Sequence, residues 1–257
     1  MPSTPLRPVA RLLVGGLLAF QVLVLLPTAA VAADSSFRMD VAGKGDYVAQ
    51  ANFVQCVGAS MQMMLNMIEP KNDRSAKTQL KLQKLARTLS GPSRDGRTRQ
   101  GASVRGWTAG LNTLGAGPYQ LLGTDTLDEA LRVAARAIRE TGRPVGLLVW
   151  RGRHAWVMSG FTATADPRLT DDFKVTGAVI LDPLYPHGSK VWGPSPKPRE
   201  TLTPKEVGRQ FVPRRQGNWP MGTSASPWSI LSTLGGKYVL VLPYEIDHLR
   251  TTAPRLS

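Results

Sequence analysis

The 257-residue sequence contains one cysteine, Cys56, and only three histidines. A single cysteine excludes an intramolecular disulfide, so the fold must depend on its hydrophobic core. One thiol and three scattered imidazoles offer no paired ligand spacing, so we predict no metal and no other cofactor. A lone cysteine is buried and inert, paired between chains, or kept as a reactive thiol. Its surroundings must therefore decide its role.

Two common enzyme signatures are also missing from the chain. There is no Gly-x-Ser-x-Gly motif, which forms the sharp strand-to-helix turn of many serine hydrolases. There is also no Gly-x-Gly-x-x-Gly turn that opens a helix after a strand. A serine hydrolase of that type and a dinucleotide-binding enzyme are both excluded.

Long apolar runs are scarce, and the only extended one lies near the start, at 12–26, after Arg7 and Arg11. It is followed by Ala30-Val31-Ala32, the small-residue pattern of a secretory cleavage site. The run is shorter than the roughly 20 apolar residues that a spanning helix needs, which favours cleavage over retention as a signal anchor. We predict a signal peptide at 1–33, a secreted or extracytoplasmic protein, and no transmembrane domain after cleavage.

Acidic residues are few, since 18 Asp and Glu stand against 32 Lys and Arg, and the formal net charge is +14 at pH 7. Without Arg7 and Arg11 the predicted mature chain carries about +12. Outside the cell, the partners of such charge are envelope polymers, lipid headgroups or acidic substrates, and we expect no nucleic acid. A solvated helix face is the simpler interpretation of one basic series. Its members are Lys71, Arg74, Lys77, Lys81, Lys84 and Arg87.

Hydrophobic periodicity divides the rest of the chain into a helical part and a strand-rich part. A polar, flexible lead-in is predicted at 34–45. Apolar spacings of three and four predict helices near 56–68, 75–89, 104–114 and 126–142. Short β-branched and aromatic runs predict antiparallel strands at 145–150, 154–161, 175–181 and 238–242. A surface excursion rich in Pro and Gly is predicted at 185–227, with one helix start at 203–206.

Helices that precede strands indicate an α+β fold, in which a helical layer packs on one side of an antiparallel sheet. The sequence shows no repeat of fixed period and no clear linker. A chain of about 224 residues after signal removal is long enough for one sizeable core. We therefore predict a single domain at 46–257.

Cys56 begins the first predicted helix, where unpaired N–H groups and the helix dipole favour a thiolate. Of the three histidines, His154 opens an apolar strand, whereas His187 lies in a Pro-Gly turn and His248 near a polar tail. We therefore predict Cys56 as a nucleophile and His154 as its base.

Two further side chains complete the predicted site. A hairpin centred on residue 168 places Asp182 opposite His154, where its carboxylate can orient the imidazole. Gln50, six residues before Cys56, can donate an N–H to an oxyanion, together with the backbone amide of Cys56. Gln55 is an alternative donor, although it must point back across the helix start, so we prefer Gln50.

Four stretches resemble the motifs of papain-like cysteine peptidases. They are Tyr-Val-Ala-Gln at 47–50, Gln-Cys-Val-Gly-Ala at 55–59, His-Ala-Trp-Val-Met-Ser-Gly-Phe at 154–161 and Leu-Asp-Pro at 181–183. The similarity is to the branch that includes the double-glycine leader peptidases of bacteriocin exporters and their free-standing secreted relatives. It implies a papain-like fold, a triad of Cys56, His154 and Asp182, and an oxyanion role for Gln50.

The chain departs from this family in two places. The family usually has Cys-Gly, where this chain has Cys56-Val57-Gly58, and the stretch from His154 to Asp182 is longer than the resemblance implies. The resemblance implies a secreted cysteine peptidase with a peptide or protein substrate. The basic charge, separately, makes an anionic cell-envelope surface a candidate second partner. Two alternatives stay open: transglutaminase-like or amidase-like acyl transfer on the same scaffold, and a catalytically silent binding protein of the envelope.

Overall fold

A computed structural model describes residues 36–91, 100–216 and 233–245, in which three helices come before most of the strands. The described residues form five helices, α1 (Cys56–Ile68), α2 (Ala76–Leu89), α3 (Val104–Thr113), α4 (Leu127–Thr141) and α5 (Pro204–Val207). They also form nine strands, β1 (Phe37–Asp40), β2 (Tyr119–Thr124), β3 (Val145–Val149), β4 (His154–Ala163), β5 (Val175–Leu181), β6 (Gly188–Ser189), β7 (Gly193–Pro194), β8 (Glu200–Leu202) and β9 (Tyr238–Pro243). The predicted signal peptide at 1–33 lies outside the described residues, as do 92–99 of the loop before α3 and 217–227 of the excursion.

Local capping explains where several helices begin and end. The Ser75 side chain accepts from the third amide of α2, and Thr126 accepts from the Glu129 amide at the start of α4. Gly142 ends α4 in the left-handed conformation at φ 65°. Thr203 starts α5 with a reciprocal capping box, which confirms the predicted helix start at 203–206.

Seven strands form one antiparallel sheet in the order β2-β9-β3-β4-β5-β8, with β1 added beside β4. β3 pairs with the first half of β4 and β1 with the second half, along the same edge. β6 and β7 form a separate pair. The α+β class with an antiparallel sheet is therefore confirmed.

The sheet carries helices on both faces, which corrects the prediction of a helical layer on one side only. Along β4, Ala155 and Val157 pack with the apolar residues of α1 to α3. The alternate residues Trp156 and Met158 pack with α4 instead. Successive side chains of a strand point to opposite faces, so α4 covers the face that α1 to α3 leave free.

Three segments carry more structure than their composition predicts. β1 lies within the predicted flexible lead-in. β2 lies between the third and fourth predicted helices, where no strand is predicted. In the predicted surface excursion, β8 pairs with β5 and Phe211 is fully buried. These strands have only three to six residues, and most lack a regular alternation of apolar and polar residues. Their pairing with other strands therefore determines that they form.

All described residues belong to one compact unit, Asp34–Ser257. Among these residues, no helix has both the length and the apolar character that crossing a bilayer demands. The hydrophobic core lies between the sheet and the helices that pack on its two faces.

Candidate active site

Three residues that are far apart in sequence meet at one end of the sheet. Cys56 is the first residue of α1, His154 is the first residue of β4, and Asp182 directly follows β5. His154 Nε2 donates to Asp182 Oδ1 at 2.7 Å. The imidazole is 4% exposed and the carboxylate is completely buried. The same ring interacts with the side chain of Cys56, which remains partly exposed.

The predicted contact between His154 and Asp182 is present, but the strand register behind it differs from the prediction by two residues. Val157 pairs with Leu181, so the hairpin is centred on residue 169 instead of 168. Asp182 therefore lies diagonal to His154 and not directly opposite. A shift of two residues keeps a side chain on its face of the sheet, whereas a shift of one reverses it.

The surroundings of His154 favour its protonated form. Burial alone lowers the pKa of this imidazole, but the hydrogen bond to Asp182 and the interaction with Cys56 outweigh burial and raise the pKa to about 9. Asp182 Oδ1 also accepts from the Leu184 amide at 2.8 Å, which fixes the carboxylate. Because Nε2 is bonded to Asp182, Nδ1 is the nitrogen left to exchange a proton with Cys56.

Tyr47 lies close to the buried carboxylate. Its hydroxyl donates to the Tyr185 carbonyl at 2.8 Å. Burial raises the pKa of Tyr47, and the negative charge of Asp182 raises it further. Tyr47 therefore stays neutral and tethers the segment that follows Asp182.

The first turn of α1 presents free backbone donors beside the thiol. The helix has no side-chain cap, and within the described residues the amides of Cys56 and Val57 have no hydrogen-bond acceptor. The next two amides are satisfied: Gly58 donates to Gln83 Oε1 at 2.9 Å, and Ala59 donates to the Gln55 carbonyl. Free amides at a helix N-terminus are suited to bind an anion.

Two buried glutamines of α2 hold this first turn and the loop before it. Gln83 Nε2 donates to the Val54 carbonyl at 2.9 Å, in addition to the bond from Gly58. Gln79, one turn earlier, accepts from the Ala51 amide at 2.7 Å and donates to the Ala49 carbonyl at 2.9 Å. Sequence reasoning missed both residues. Their signal is two polar side chains spaced by four on the buried face of α2.

Gly58 allows this close approach of α1 and α2. A Cβ at this position would lie 2.8 Å from the Gln79 carbonyl oxygen and 2.9 Å from Gln83 Cβ, and both distances are too short. Gly58 therefore has a packing role between α1 and α2. It has this role although it follows Cys56 by two residues and not directly, as the glycine of the Cys-Gly pattern does.

Gln50 and Gln55 differ in how free their side chains are. The Gln50 backbone amide donates to the Pro183 carbonyl at 2.7 Å, which places Gln50 beside the segment of Asp182. Its side-chain amide donates to the Asn52 carbonyl at 2.8 Å. The side chain of Gln55, a residue only 8% exposed, has no hydrogen-bond partner within the described residues. Both glutamines thus stay candidates for an oxyanion donor.

Trp150 is a third residue that sequence reasoning missed. Its indole stacks on the His154 ring, with centroids 4.2 Å apart and planes 24° apart. Gln210 holds Trp150 through two bonds. The indole Nε1 donates to Gln210 Oε1 at 2.8 Å, and the Trp150 backbone amide donates to the Gln210 carbonyl at 2.9 Å. Trp150 has φ 57°, which is unusual for a bulky residue and is typical of functional sites.

Among the described residues, no contact joins His187 to this group. The His187 ring lies 6.4 Å from the ring of Phe53, an exposed side chain three residues before Cys56. His248 lies outside the described residues. Among the described residues, no three side chains of His, Cys, Asp or Glu are grouped to hold a metal ion.

Comparisons of the chain with protein-family models, curated proteins and solved structures find no match. A partly exposed thiol, an imidazole fixed by a buried carboxylate and two free amides at a helix start provide a nucleophile, a proton carrier and anion donors. This set of groups is suited to acyl transfer.

Proposed function

We propose that this protein is an exported papain-like cysteine hydrolase that cleaves peptide bonds. The observation that carries the proposal is the His154 ring, which bonds Asp182 at 2.7 Å while it interacts with Cys56. A thiol, an imidazole and a carboxylate in series are the arrangement that activates a cysteine nucleophile. The motif resemblance supports the same three roles, and export rests on the signal-like pattern at 1–33.

In the proposed cycle, the Cys56 sulfur attacks the substrate carbonyl carbon and forms a tetrahedral intermediate. The oxyanion binds to the amide of Cys56, with the Val57 amide and the Gln50 side chain as further donors. His154 gives its Nδ1 proton to the leaving amine as the C–N bond breaks and an acyl-enzyme forms. Water then attacks the acyl carbon and loses a proton to His154, and the Cys56 thiolate leaves as the acid is released, which regenerates the thiolate and the imidazolium.

Asp182 contributes by holding the imidazole and not by taking a proton. Its fully buried oxygen fixes the tautomer and the ring orientation, so that Nδ1 faces the sulfur. The Leu184 amide and the neighbouring Tyr47 tether keep the carboxylate in place. The papain-like fold is part of the proposal and is supported by a nucleophile helix that packs on the β4 strand.

The single cysteine permits a direct test, because every alkylated protein molecule reports on Cys56. Near pH 6, we expect iodoacetamide to modify wild-type protein at least tenfold faster than a free thiol, and His154→Ala to remove this advantage. His187→Ala is the matched control and should keep the wild-type rate. A wild-type rate equal to that of a free thiol would refute the proposal.

Turnover gives a second test once a peptide substrate is found by screening. Cys56→Ala should abolish cleavage while the thermal unfolding midpoint stays close to that of the wild type. Product masses with and without an added primary amine distinguish hydrolysis from acyl transfer, since an amide product forms only if the amine captures the acyl-enzyme. Cleavage that persists in Cys56→Ala would remove Cys56 as the nucleophile.

A further inference from the structure

The turn that leads into His154 is rich in arginine. Residues 150–153 connect β3 to β4, and Arg151 and Arg153 are both exposed there. Trp150, which stacks on the His154 ring, belongs to the same turn. Two guanidinium groups are therefore attached to the segment that positions the candidate proton donor.

A second segment brings two more arginines to this turn. The Arg215 amide donates to the Arg151 carbonyl at 3.2 Å. A Cβ placed on Gly152 would lie 3.2 Å from Arg214 Cγ, so the stem of Arg214 lies over the turn. Arg151, Arg153, Arg214 and Arg215 together are called the arginine patch below.

Three members of the patch, Arg151, Arg153 and Arg215, have little local compensation. No acidic residue occurs in 145–161 or in 207–216. Within the described residues, the side chains of Arg151, Arg153 and Arg215 form no ion pair or hydrogen bond. Several like charges held close together repel one another and raise the local positive potential.

The charges around His154 leave this potential free to act on a ligand. Asp182 is fully buried and committed to the imidazole, and Tyr47 behind it is neutral. The Cys56 thiolate of the active pair is balanced by the imidazolium. An approaching anion would therefore meet the arginine patch without competition from Asp182 or Tyr47, and guanidinium groups bind carboxylates in a forked geometry.

We propose that the arginine patch selects peptides with acidic side chains on the leaving-group side of the scissile bond. His154 protonates the leaving amine, so the part of the substrate beyond that amine lies on the side of the turn that carries the patch. This inference rests on the proposed function and names its substrate class. It also gives part of the chain's positive charge a specific role.

Protection of Cys56 from iodoacetamide tests this inference without a known substrate. The reagent is neutral, so the field of the patch does not attract it directly. At low ionic strength, blocked tetraglutamate should slow alkylation at a concentration several-fold lower than blocked tetraglutamine requires. High salt should remove the difference, because it screens exposed charges.

Two triple variants separate a local effect from total charge. Arg151→Gln with Arg153→Gln and Arg215→Gln should weaken protection by tetraglutamate about three- to tenfold. Lys77→Gln with Lys81→Gln and Lys84→Gln removes three charges from the exposed face of α2 and should leave protection unchanged. Equal protection by both peptides, no protection by either, or an equal loss in the lysine variant would overturn the inference.

The control without peptide separates this inference from the proposed function. If Cys56 reacts no faster than a free thiol when no peptide is present, the proposed function fails. If Cys56 is fast but the two peptides behave alike, only the substrate class fails. If a short sulfated polysaccharide protects and tetraglutamate does not, the patch binds an anionic polymer and the peptide assignment is wrong.

Discussion

The two sides of the candidate site are held in place by different forces. On the thiol side, the loop before α1 and the first turn of α1 depend on side-chain hydrogen bonds from Gln79 and Gln83. On the imidazole side, His154 is part of a paired β-strand, and Trp150 stacks on its ring. Few directional bonds fix the nucleophile, whereas a whole sheet fixes the base.

This difference predicts different sensitivities to mutation. A buried glutamine that bridges two backbone groups leaves both without a partner when it is replaced, and each such group costs about 1–3 kcal/mol. A strand position is supported by many backbone bonds at once, so no single side chain decides it. The thiol side should therefore be the less tolerant of replacements outside the triad.

The largest effect is expected at Asp182, because its carboxylate is the group that accepts the hydrogen bond from His154 Nε2. Asp182→Ala should lower turnover by about 10³-fold, since the ring loses its orienting acceptor. Asp182→Asn should cost less, because its amide oxygen can still accept from Nε2. Turnover of both variants under saturating substrate measures the difference.

The loop acids provide the control for Asp182. Asp166 is bound by Arg139 in a partly buried ion pair, and Asp171 by Arg136 in a pair whose carboxylate is exposed. Replacing Asp166, Asp171 or Asp172 with Ala should leave turnover within about twofold, since Asp182 is the carboxylate that bonds His154 and an exposed pair such as that of Asp171 contributes about 1 kcal/mol or less. If one of these variants lost activity while Asp182→Ala kept it, the orienting residue would be misassigned.

The next effect tests the thiol side directly. Gln83→Leu keeps the side-chain size but leaves the Gly58 amide and the Val54 carbonyl without their bonds. We expect about 10- to 100-fold slower alkylation of Cys56 and a free energy of unfolding lower by about 2–4 kcal/mol. Denaturant unfolding and the iodoacetamide rate measure both changes.

Lys84→Leu is the matched replacement on the exposed face of the same helix and should change neither quantity appreciably. If Gln83→Leu lost stability yet kept the full alkylation rate, the thiol would not depend on this bond. The contrast between the two sides would then be wrong.

A smaller effect is expected at Trp150. Trp150→Ala removes the surface on which the imidazole rests and should lower turnover about tenfold with little change in KM. Trp150→Phe keeps an aromatic face but loses the Nε1 bond to Gln210, so it should recover most of the activity. A loss in Trp150→Phe as large as that in Trp150→Ala would show that the bond to Gln210 matters more than the stacking.

The smallest effect concerns pH. The pKa of His154 is raised to about 9 from an ordinary value of 6.5. Protonation of His154 therefore adds to the free energy of unfolding, and this contribution is complete below pH 6.5. This contribution is lost as the pH rises from 6.5 through 9. Unfolding at pH 6, 7.5 and 9.5 should show the decline, and Asp182→Asn should flatten it.

Activity should follow a bell-shaped pH profile whose basic limb lies near pH 9, where the imidazolium loses its proton. Both apparent values belong to the coupled pair of Cys56 and His154. A basic limb that Asp182→Asn leaves in place would contradict this origin.

The sequence was sufficient where periodicity is long and regular. The predicted bounds of α1, α2 and α4 lie within about one residue of those observed, because each has several turns with one apolar face. The contact between His154 and Asp182 was predicted from a hairpin whose centre was wrong by one residue. The prediction held because the resulting shift of two preserves the side-chain face.

The parts that sequence reasoning missed depend on contacts between distant segments. β2 has no clear alternation, and it becomes a strand because β9 pairs with all six of its residues. The stacking of Trp150 on His154 depends on a turn with positive φ, and composition alone does not indicate one at a tryptophan. The hydrogen bonds of Gln79 and Gln83 to the first turn of α1 and to the loop before it require the packing of α2 on α1. No local sequence pattern specifies this packing.

The short strand β1 has a practical consequence for anyone who shortens the protein. It covers the second half of β4, along the edge that β3 leaves unpaired. A variant without residues 34–42, chosen because that stretch reads as a dispensable tail, would expose a row of unsatisfied backbone groups over the apolar residues of β4. Exposed sheet edges recruit other chains, so such a variant should self-associate in concentrated solution.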